Sequence, residues 1–392
     1  MIKMMMFDFR ESEKEFFENN ELVDFDITFI NEPLNETTEL NEEELKETSI
    51  ISVFRSSNLT RNVLDKFHNL RMIATRSYGY GHIDLDYCIE HNIAVLNIEQ
   101  YGEEAVAQYA IALIIVLIRN MLPAIIEMKS HNINYEHYEG RTLSNLKLGI
   151  IGCGEVGALV SKIAHFFGMK VMIYSYMQNP ELEEFCDFVS FDELLKESDI
   201  ISLHLPYSGD NYHMLGPNEF DKMKDGVTLL NFARGELVDN QAVIEGLASG
   251  KVKHYVTDFP SAEIAGVDKV ITIPHLGAST EESEENCAEM AVDQLMNYLE
   301  NGNIVNSVNY PNCDLGEASG AARITVHHKN LPNMIGQLTA ILAADGHNIS
   351  NMLNKSKGEW AYSMFDMEKK APTEETIKKM EQIDGVVRVR VL

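Results

Sequence analysis

Leu148-Gly149-Ile150-Ile151-Gly152-Cys153-Gly154-Glu155-Val156-Gly157 is the stretch that decides the fold. An apolar run that reads as a buried parallel strand ends in glycines at 152, 154 and 157. A helical segment from Ala158 to Phe167 follows, Gly168 stops it, and Lys170 to Tyr174 reads as a second strand. Strand, G-x-G-x-x-G, helix, strand is the order of a dinucleotide-binding unit. The first glycine makes the tight turn, the second lets backbone approach a pyrophosphate, and the third lets helix pack on strand. The helix N-terminus then offers unpaired N–H groups to the anion. A glycine-rich turn alone is a weak signal; its setting between strand, helix and strand favours a cofactor over a mere turn.

At 392 residues the chain has room for two or three domains with proper cores. Lysine and arginine total 32 against 61 aspartates and glutamates, for a formal charge of -29. A nucleic-acid or anionic-membrane surface needs a basic face, so neither partner is expected. An anionic substrate must be held by a few local arginines. The cysteines at 88, 153, 186, 287 and 313 form no C-x-x-C pair. They read as reduced thiols of a cytoplasmic protein, with no disulfide framework and no metal site expected. The N-terminal stretch does not read as a signal peptide. The most apolar run, Ile111 to Ile118, falls short of the roughly 20 residues of a membrane span, so a buried or interface helix is expected.

Residues 1–99 alternate strand and helix patterns. Strands are expected at Met4–Phe9, Ile27–Ile30, Ile50–Phe54, Met72–Thr75 and Ala94–Leu96, and helices at Glu11–Glu18, Thr60–Phe67 and Leu85–His91. That is α/β with a parallel sheet of its own. The acidic run Asn41 to Glu47 reads as a solvated helix start. Long helical patterns fill 100–131, where Pro123 is expected to break them. A dinucleotide unit that begins so deep predicts a nucleotide domain, 100–282, inserted into a substrate domain of 1–99 and 283–310, with hinges near 98–101 and 281–285. Thr280 is placed to cap a long helix running to Asn301. Residues 311–321 read as a linker, and 322–392 carry a βαββαβ pattern, ferredoxin-like in type.

A nicotinamide coenzyme does the hydride chemistry itself, so the protein must supply a proton carrier and a cation for a carboxylate. Three polar residues stand at the ends of apolar strands, where open α/β sheets place ligands. Arg234 follows Leu230-Asn231-Phe232-Ala233, Glu263 lies past Thr257-Asp258-Phe259-Pro260, and His275 ends Val270-Ile271-Thr272-Ile273-Pro274. A guanidinium binds a carboxylate in bidentate fashion. A histidine held by a carboxylate is suited to proton transfer, so His275 with Glu263 is the expected pair. Each also has a plainer reading: a surface arginine, a loop glutamate, a capped histidine.

The segments Asn231-Phe232-Ala233-Arg234-Gly235-Glu236-Leu237-Val238-Asp239 and Pro274-His275-Leu276-Gly277-Ala278-Ser279-Thr280 closely resemble signatures of the D-2-hydroxyacid dehydrogenase family. So do Ser198-Asp199-Ile200-Ile201-Ser202-Leu203-His204-Leu205-Pro206 and the glycine fingerprint. The resemblance covers nearly all of residues 1–310. It implies a Rossmann nucleotide domain inserted in a flavodoxin-like substrate domain, both doubly wound parallel sheets. Carried over motif by motif, it implies catalytic roles for Arg234, Glu263 and His275. NAD contacts are implied at Gly152, Gly154, Glu155, Val156, Gly157, Ser175, Leu205, Pro206, Phe232, Ala233, Arg234, Asp258, His275, Gly277 and Ala278. Asp258 looks like the family's carboxylate beside the nicotinamide amide. Tyr78-Gly79 matches the turn whose backbone N–H groups hold the substrate carboxylate, and Arg55 fits an arginine that helps bind a phosphorylated acid.

Two features set this chain apart from the family pattern. Ser175 stands where NAD-preferring members usually have an aspartate, yet no lysine or arginine between 171 and 195 invites a 2′-phosphate, so NAD is preferred to NADP. Ala74-Thr75-Arg76-Ser77-Tyr78-Gly79-Tyr80 and Tyr101-Gly102-Glu103-Glu104 resemble the D-lactate branch, where Tyr101 would lie over a small 2-keto acid. The C-terminal segment looks like an ACT domain, a ligand-sensing module, with His328, Asn330 and Asn348 at the positions of amino-acid ligands such as L-serine. Asn333 replaces a glycine usual in that loop. Homodimers through the helices of 103–126, and homotetramers through the ACT modules, are expected. The partners implied are a small anionic 2-hydroxy or 2-keto acid and an amino-acid effector.

Overall fold

Parallel pairing builds both large sheets of this chain. The computed structural model describes residues 2–9, 11, 25–129 and 138–392. It divides into two units, Met1–Tyr101 with Glu284–Leu392, and Gly102–Ser283. The helix expected at Glu11–Glu18 lies, apart from Glu11, outside the described residues.

In the first unit, β1 (Ile2–Phe7), β2 (Phe25–Ile30), β3 (Ile50–Val53), β4 (Met72–Thr75) and β5 (Ala94–Leu96) form a sheet in the order β2-β1-β3-β4-β5. Every pairing is parallel. All residues of β3, β4 and β5 are buried, the pattern of strands covered on both faces. The acidic run folds as the helix Glu42–Glu47, with Asn41 and Glu44 forming a reciprocal capping box. The strand order reverses between β1 and β3, so the C-terminal ends of these two strands mark a topological switch point, with β4 next to it.

The second unit holds β6 (Lys147–Ile151), β7 (Lys170–Tyr174), β8 (Asp187–Phe188), β9 (Ile200–Leu203), β10 (Val227–Asn231), β11 (Val252–Thr257) and β12 (Val270–Thr272). They make one parallel sheet in the order β12-β11-β10-β9-β6-β7-β8. Apolar clusters cover its two faces, one centred on Ile150, Val160 and Ile173, the other on Ile151, Leu229 and Tyr255. Alternation along the strands explains the split, since successive side chains point to opposite faces.

The helices Glu103–Ile118 and Met121–Lys129 meet at 68°. The break is at Asn120, in left-handed conformation with φ 49°, and not at Pro123 as expected. Pro123 sits in the first turn of the second helix, where a missing N–H costs no hydrogen bond. Among the described residues no single helix is long and apolar enough to cross a membrane.

The C-terminal module belongs to the first unit. Strands β13 (Ala322–Lys329), β14 (Ile349–Lys357), β15 (Trp360–Met367) and β16 (Val386–Val391) form an antiparallel sheet in the order β14-β15-β13-β16. With the helices Met334–Ala344 and Glu374–Glu381 this is the βαββαβ arrangement. Both faces are covered. Ile324, Leu338 and Phe365 pack beneath the helices, while Trp360, Tyr362 and Met364 join Met4, Ile50, Met72 and Tyr298 in a single cluster. The stretch expected as a linker, though mostly exposed, is tied down by hydrogen bonds. Fully buried Arg323 forks onto Asp366, at 2.6 and 3.0 Å, and also donates to the carbonyls of Asn301, Gly316 and Glu317.

Candidate active site

The glycine turn is built as its sequence demands. Gly152 has φ 101°, and a Cβ there would lie 2.4 Å from the His204 carbonyl oxygen. A Cβ on Gly157 would lie 2.2 Å from the Gly152 oxygen, so the helix packs directly on the turn. At Gly154 no atom stands within 4 Å of the added Cβ. Gly154 is also the N-cap of the helix Glu155–Phe166, and no side chain caps its N–H groups. An open approach to uncapped N–H groups is the cradle that a pyrophosphate requires. Ser175 follows β7, and its hydroxyl accepts from the Met177 N–H at 3.3 Å.

Asn231, Thr257 and Thr272 lie side by side in register across β10, β11 and β12. Arg234, Asp258 and His275 therefore emerge from the same edge of three neighbouring strands. Buried Asn231 shapes the first of these turns. Its amide donates to the Arg234 carbonyl at 2.8 Å, and its oxygen accepts from the Ala233 N–H at 3.1 Å. Asn231 had no role in the sequence reading; a fully buried asparagine at a strand end was the signal available. The Arg234 guanidinium donates to the Ala233 carbonyl at 2.7 Å. Phe232 and Ala233 are buried beneath it.

The expected pairing of His275 with Glu263 is corrected by the structure. His275 Nδ1 lies 2.8 Å from Oδ2 of Asp258. Glu263 instead accepts from the Asn240 amide at 2.8 Å. Asp258 follows β11 directly and is held at the strand end, whereas Glu263 stands farther out on the loop, where Asn240 and Ser261 lie. The Asp258 carboxylate is buried, and its second oxygen, Oδ1, has no hydrogen-bond partner among the described residues. A buried acceptor without a partner fits a ligand amide, so the edge accommodates a nicotinamide carboxamide. The His275 ring remains 57% exposed and stacks obliquely on Phe259, with centroids 5.0 Å apart. Gly277 and Ala278 pack beside Val106 and Gly102, and Leu205 and Pro206 follow β9, with the Leu205 side chain against Gly152.

In the first unit, Val53 and Thr75 are in register, so Arg55 and the Tyr78-Gly79 turn leave adjacent strand ends. Buried Arg76 supports that turn by donating to Phe7 O at 2.7 Å, Asp8 O at 3.1 Å and Ser52 Oγ at 2.8 Å. Asn97 donates to the Tyr78 carbonyl at 2.9 Å, and Ser77 to that of Gly79 at 2.7 Å. The rings of Tyr78 and Tyr80 stay 43% and 40% exposed. Tyr101 packs on Ile98, Cys287 and Ala291. In the C-terminal module the rings and amides read as effector ligands have internal partners. His328 bonds Ser363 Oγ and the Lys329 carbonyl, both at 2.8 Å. Asn348 pairs with Glu368, and Asn330 reaches the Gly358 carbonyl at 3.5 Å. Among the described residues no cluster of histidine, cysteine and carboxylate could hold a metal.

Residues 111–277 match the D-isomer specific 2-hydroxyacid dehydrogenase, NAD binding domain. The putative D-3-phosphoglycerate dehydrogenase of Schizosaccharomyces pombe is 29% identical over 375 residues, spanning 89% of this chain and 80% of that protein. The aromatic 2-oxoacid reductase of Clostridium sporogenes is 34% identical over 271 residues, or 63% of this chain and 82% of that protein. Among solved structures, D-lactate dehydrogenase from Aquifex aeolicus complexed with NAD and lactic acid aligns with a TM-score of 0.63 at 32% identity. That alignment covers 76% of this chain and 95% of the other.

Proposed function

Because the chain belongs to the D-isomer specific 2-hydroxyacid dehydrogenase family, NAD-dependent oxidoreductases acting on CH–OH groups, we propose that its substrate is 3-phosphoglycerate, oxidised to 3-phosphohydroxypyruvate. The observation that carries this reading is how far the likeness runs. Similarity to the phosphoglycerate dehydrogenase spans 89% of the chain, against 76% for the D-lactate dehydrogenase structure. The part of the chain left outside that 89% is shorter than the C-terminal module, so the likeness reaches into the module.

Arg234 is assigned the substrate carboxylate, which its planar fork suits. Arg55, Tyr78, Gly79 and Tyr101 are assigned to substrate binding in the first unit, with Arg55 taking the phosphate. His275 carries the proton. With Nδ1 on Asp258, its Nε2 is the nitrogen that takes the C2 hydroxyl proton during oxidation and returns it during reduction. Bound nicotinamide supplies the acceptor for the C2 hydride. Asp258 Oδ1 is assigned the nicotinamide carboxamide, the glycine turn with Glu155 and Val156 the pyrophosphate, and Ser175 a ribose hydroxyl. Leu205, Pro206, Phe232, Ala233, Gly277 and Ala278 are assigned the remaining walls.

The C-terminal module is read as an ACT domain that senses an amino acid. L-Serine is the ligand in this reading, at His328, Asn330 and Asn348.

A second reading has its own support. Tyr78 and Tyr80 present exposed rings at the substrate turn, and the 34% identical relative is an aromatic 2-oxoacid reductase. Here the substrate is an unphosphorylated 2-keto acid. NADH oxidation with 3-phosphohydroxypyruvate, pyruvate, phenylpyruvate and 2-oxoglutarate separates the two. A kcat/KM for the phosphorylated acid above all others supports the first reading. Preference for pyruvate or phenylpyruvate replaces it with the second.

A further inference from the structure

Open parallel sheets take reacting ligands at the C-terminal ends of their strands. At the opposite end of the first sheet, this chain gathers arginines from distant segments. Arg71 immediately precedes β4, and Arg388 and Arg390 lie on β16 of the C-terminal module. They line two cavities, of ≈ 70 and ≈ 330 Å³, that share Arg71 and Arg388. Arg390 and Tyr298 complete the smaller one, while His91 and Glu381 line the larger.

Internal partners leave the charge of this cluster uncompensated, although Arg390 also lies over the Tyr298 ring, 5.0 Å from its centroid. Arg71 donates to the Asn69 side-chain oxygen at 3.2 and 3.0 Å. Arg390 donates to the carbonyls of Tyr298 and Leu299. Arg388 makes no hydrogen bond or ion pair among the described residues, and none of the three is paired with a carboxylate there. Burial, then Arg388, lowers the Arg71 guanidinium, and burial is also the main influence lowering Arg390, with Arg388 adding to it. In a chain with 61 acidic residues against 32 basic ones, three arginines lining one cavity with no carboxylate partner among the described residues are an unexpected use of cations. Their chemistry has a direct match. Planar forks converging on a small space bind the oxygens of a tetrahedral oxyanion, each through charge-assisted hydrogen bonds.

We propose that Arg71, Arg388 and Arg390 form a binding site for a small phosphate-bearing anion, separate from the catalytic edge. The phosphate group sits against Arg71 and Arg388, which line both cavities, with Arg390 adding charge, and the organic part extends into the larger cavity beside His91. Arg71 belongs to the first sheet and the other two to β16. The bound anion therefore neutralises their repulsion and fastens the C-terminal module to that sheet.

The test uses the full chain, with inorganic phosphate and glycerol 3-phosphate as probes at matched ionic strength, read by calorimetry and thermal shift. Saturable binding is expected, at least about tenfold weaker in Arg388→Ala, since each charge-assisted contact is worth a factor of that order. Arg388→Lys, which keeps the charge, should retain part of the affinity. Arg55→Ala should leave it unchanged, which separates this site from the residue assigned to the substrate phosphate. Circular dichroism and NADH binding check that the variants fold; Arg71→Gln serves as a second variant should Arg388→Ala not. Absence of saturable binding, equal affinity in wild type and both cluster variants, or loss of binding in Arg55→Ala alone would overturn the proposal.

Discussion

His275 Nδ1 sits 2.8 Å from Asp258 Oδ2, and the carboxylate is buried while the ring is open to solvent. An arrangement of this kind fixes the tautomer and aims the free nitrogen outward. Replacing His275 by Asn is expected to lower kcat by about 10²–10⁴ with NADH affinity preserved, the usual worth of a positioned acid/base. Asp258→Asn should cost more in kcat than Glu263→Gln. The reverse order in steady-state kinetics would show that the pair seen here is not the one that operates.

The glycine turn predicts two substitutions with opposite signatures. Gly157→Ala puts a methyl group 2.2 Å from a carbonyl oxygen, and should destabilise the fold by about 1–3 kcal/mol or more. Gly154→Ala meets no protein atom within 4 Å, so its melting temperature should stay close to wild type while its NADH affinity falls. Thermal melts and NADH fluorescence titrations on both variants check this. A Gly154→Ala enzyme that binds NADH normally would remove the pyrophosphate from that spot.

Two buried histidines give the fold an acid sensitivity. Burial pushes His204 down to about 4, and burial, then Arg388 and Arg390, push His327 down to about 3, from an ordinary 6.5. Both are neutral when folded, so the unfolded chain binds more protons as the pH drops below 6.5. Stability contributed by these groups is intact above that value and declines toward pH 4. At pH 5 the loss should be on the order of 2 kcal/mol for each. Denaturant unfolding at pH 7, 6 and 5 measures the slope. His204→Asn and His327→Asn should each flatten it, and an unchanged slope in both would refute the account.

Arg323 is fully buried, forks onto Asp366, and donates to three backbone carbonyls from 301 to 317. Arg323→Met should cost about 3–5 kcal/mol, because it strands a buried carboxylate. Arg323→Lys should also be costly, since an ammonium cannot serve the same fork. Equilibrium unfolding in urea reads both, and a loss below 1 kcal/mol for Arg323→Met would contradict the packing described.

What the sequence made legible is what local pattern controls. Alternating strands and helices, the glycine turn, and the placement of Arg234 and His275 at strand ends all follow from apolar periodicity and from residues that stop it. Thr280 was legible as a helix cap, and its hydroxyl accepts the Ser283 N–H at 3.1 Å. Asp258 and Glu263 lie five positions apart on one loop, and spacing does not say which of them faces the imidazole. Asn120 broke the helix where Pro123 drew the eye, because a proline in a first turn is harmless and an asparagine tolerates positive φ. The docking of the C-terminal sheet and the meeting of Arg71 with Arg388 depend on long-range packing, for which the one-dimensional pattern carries no signal.

Arg76 bears on how such an enzyme could change its diet. Its guanidinium ties the ends of β1 and β3 together beneath the turn that carries Tyr78 and Tyr80. The floor is buried, and the two rings above it are 43% and 40% exposed. In the proposed substrate role of this turn, exchanging those surface rings would retune preference with little penalty to folding.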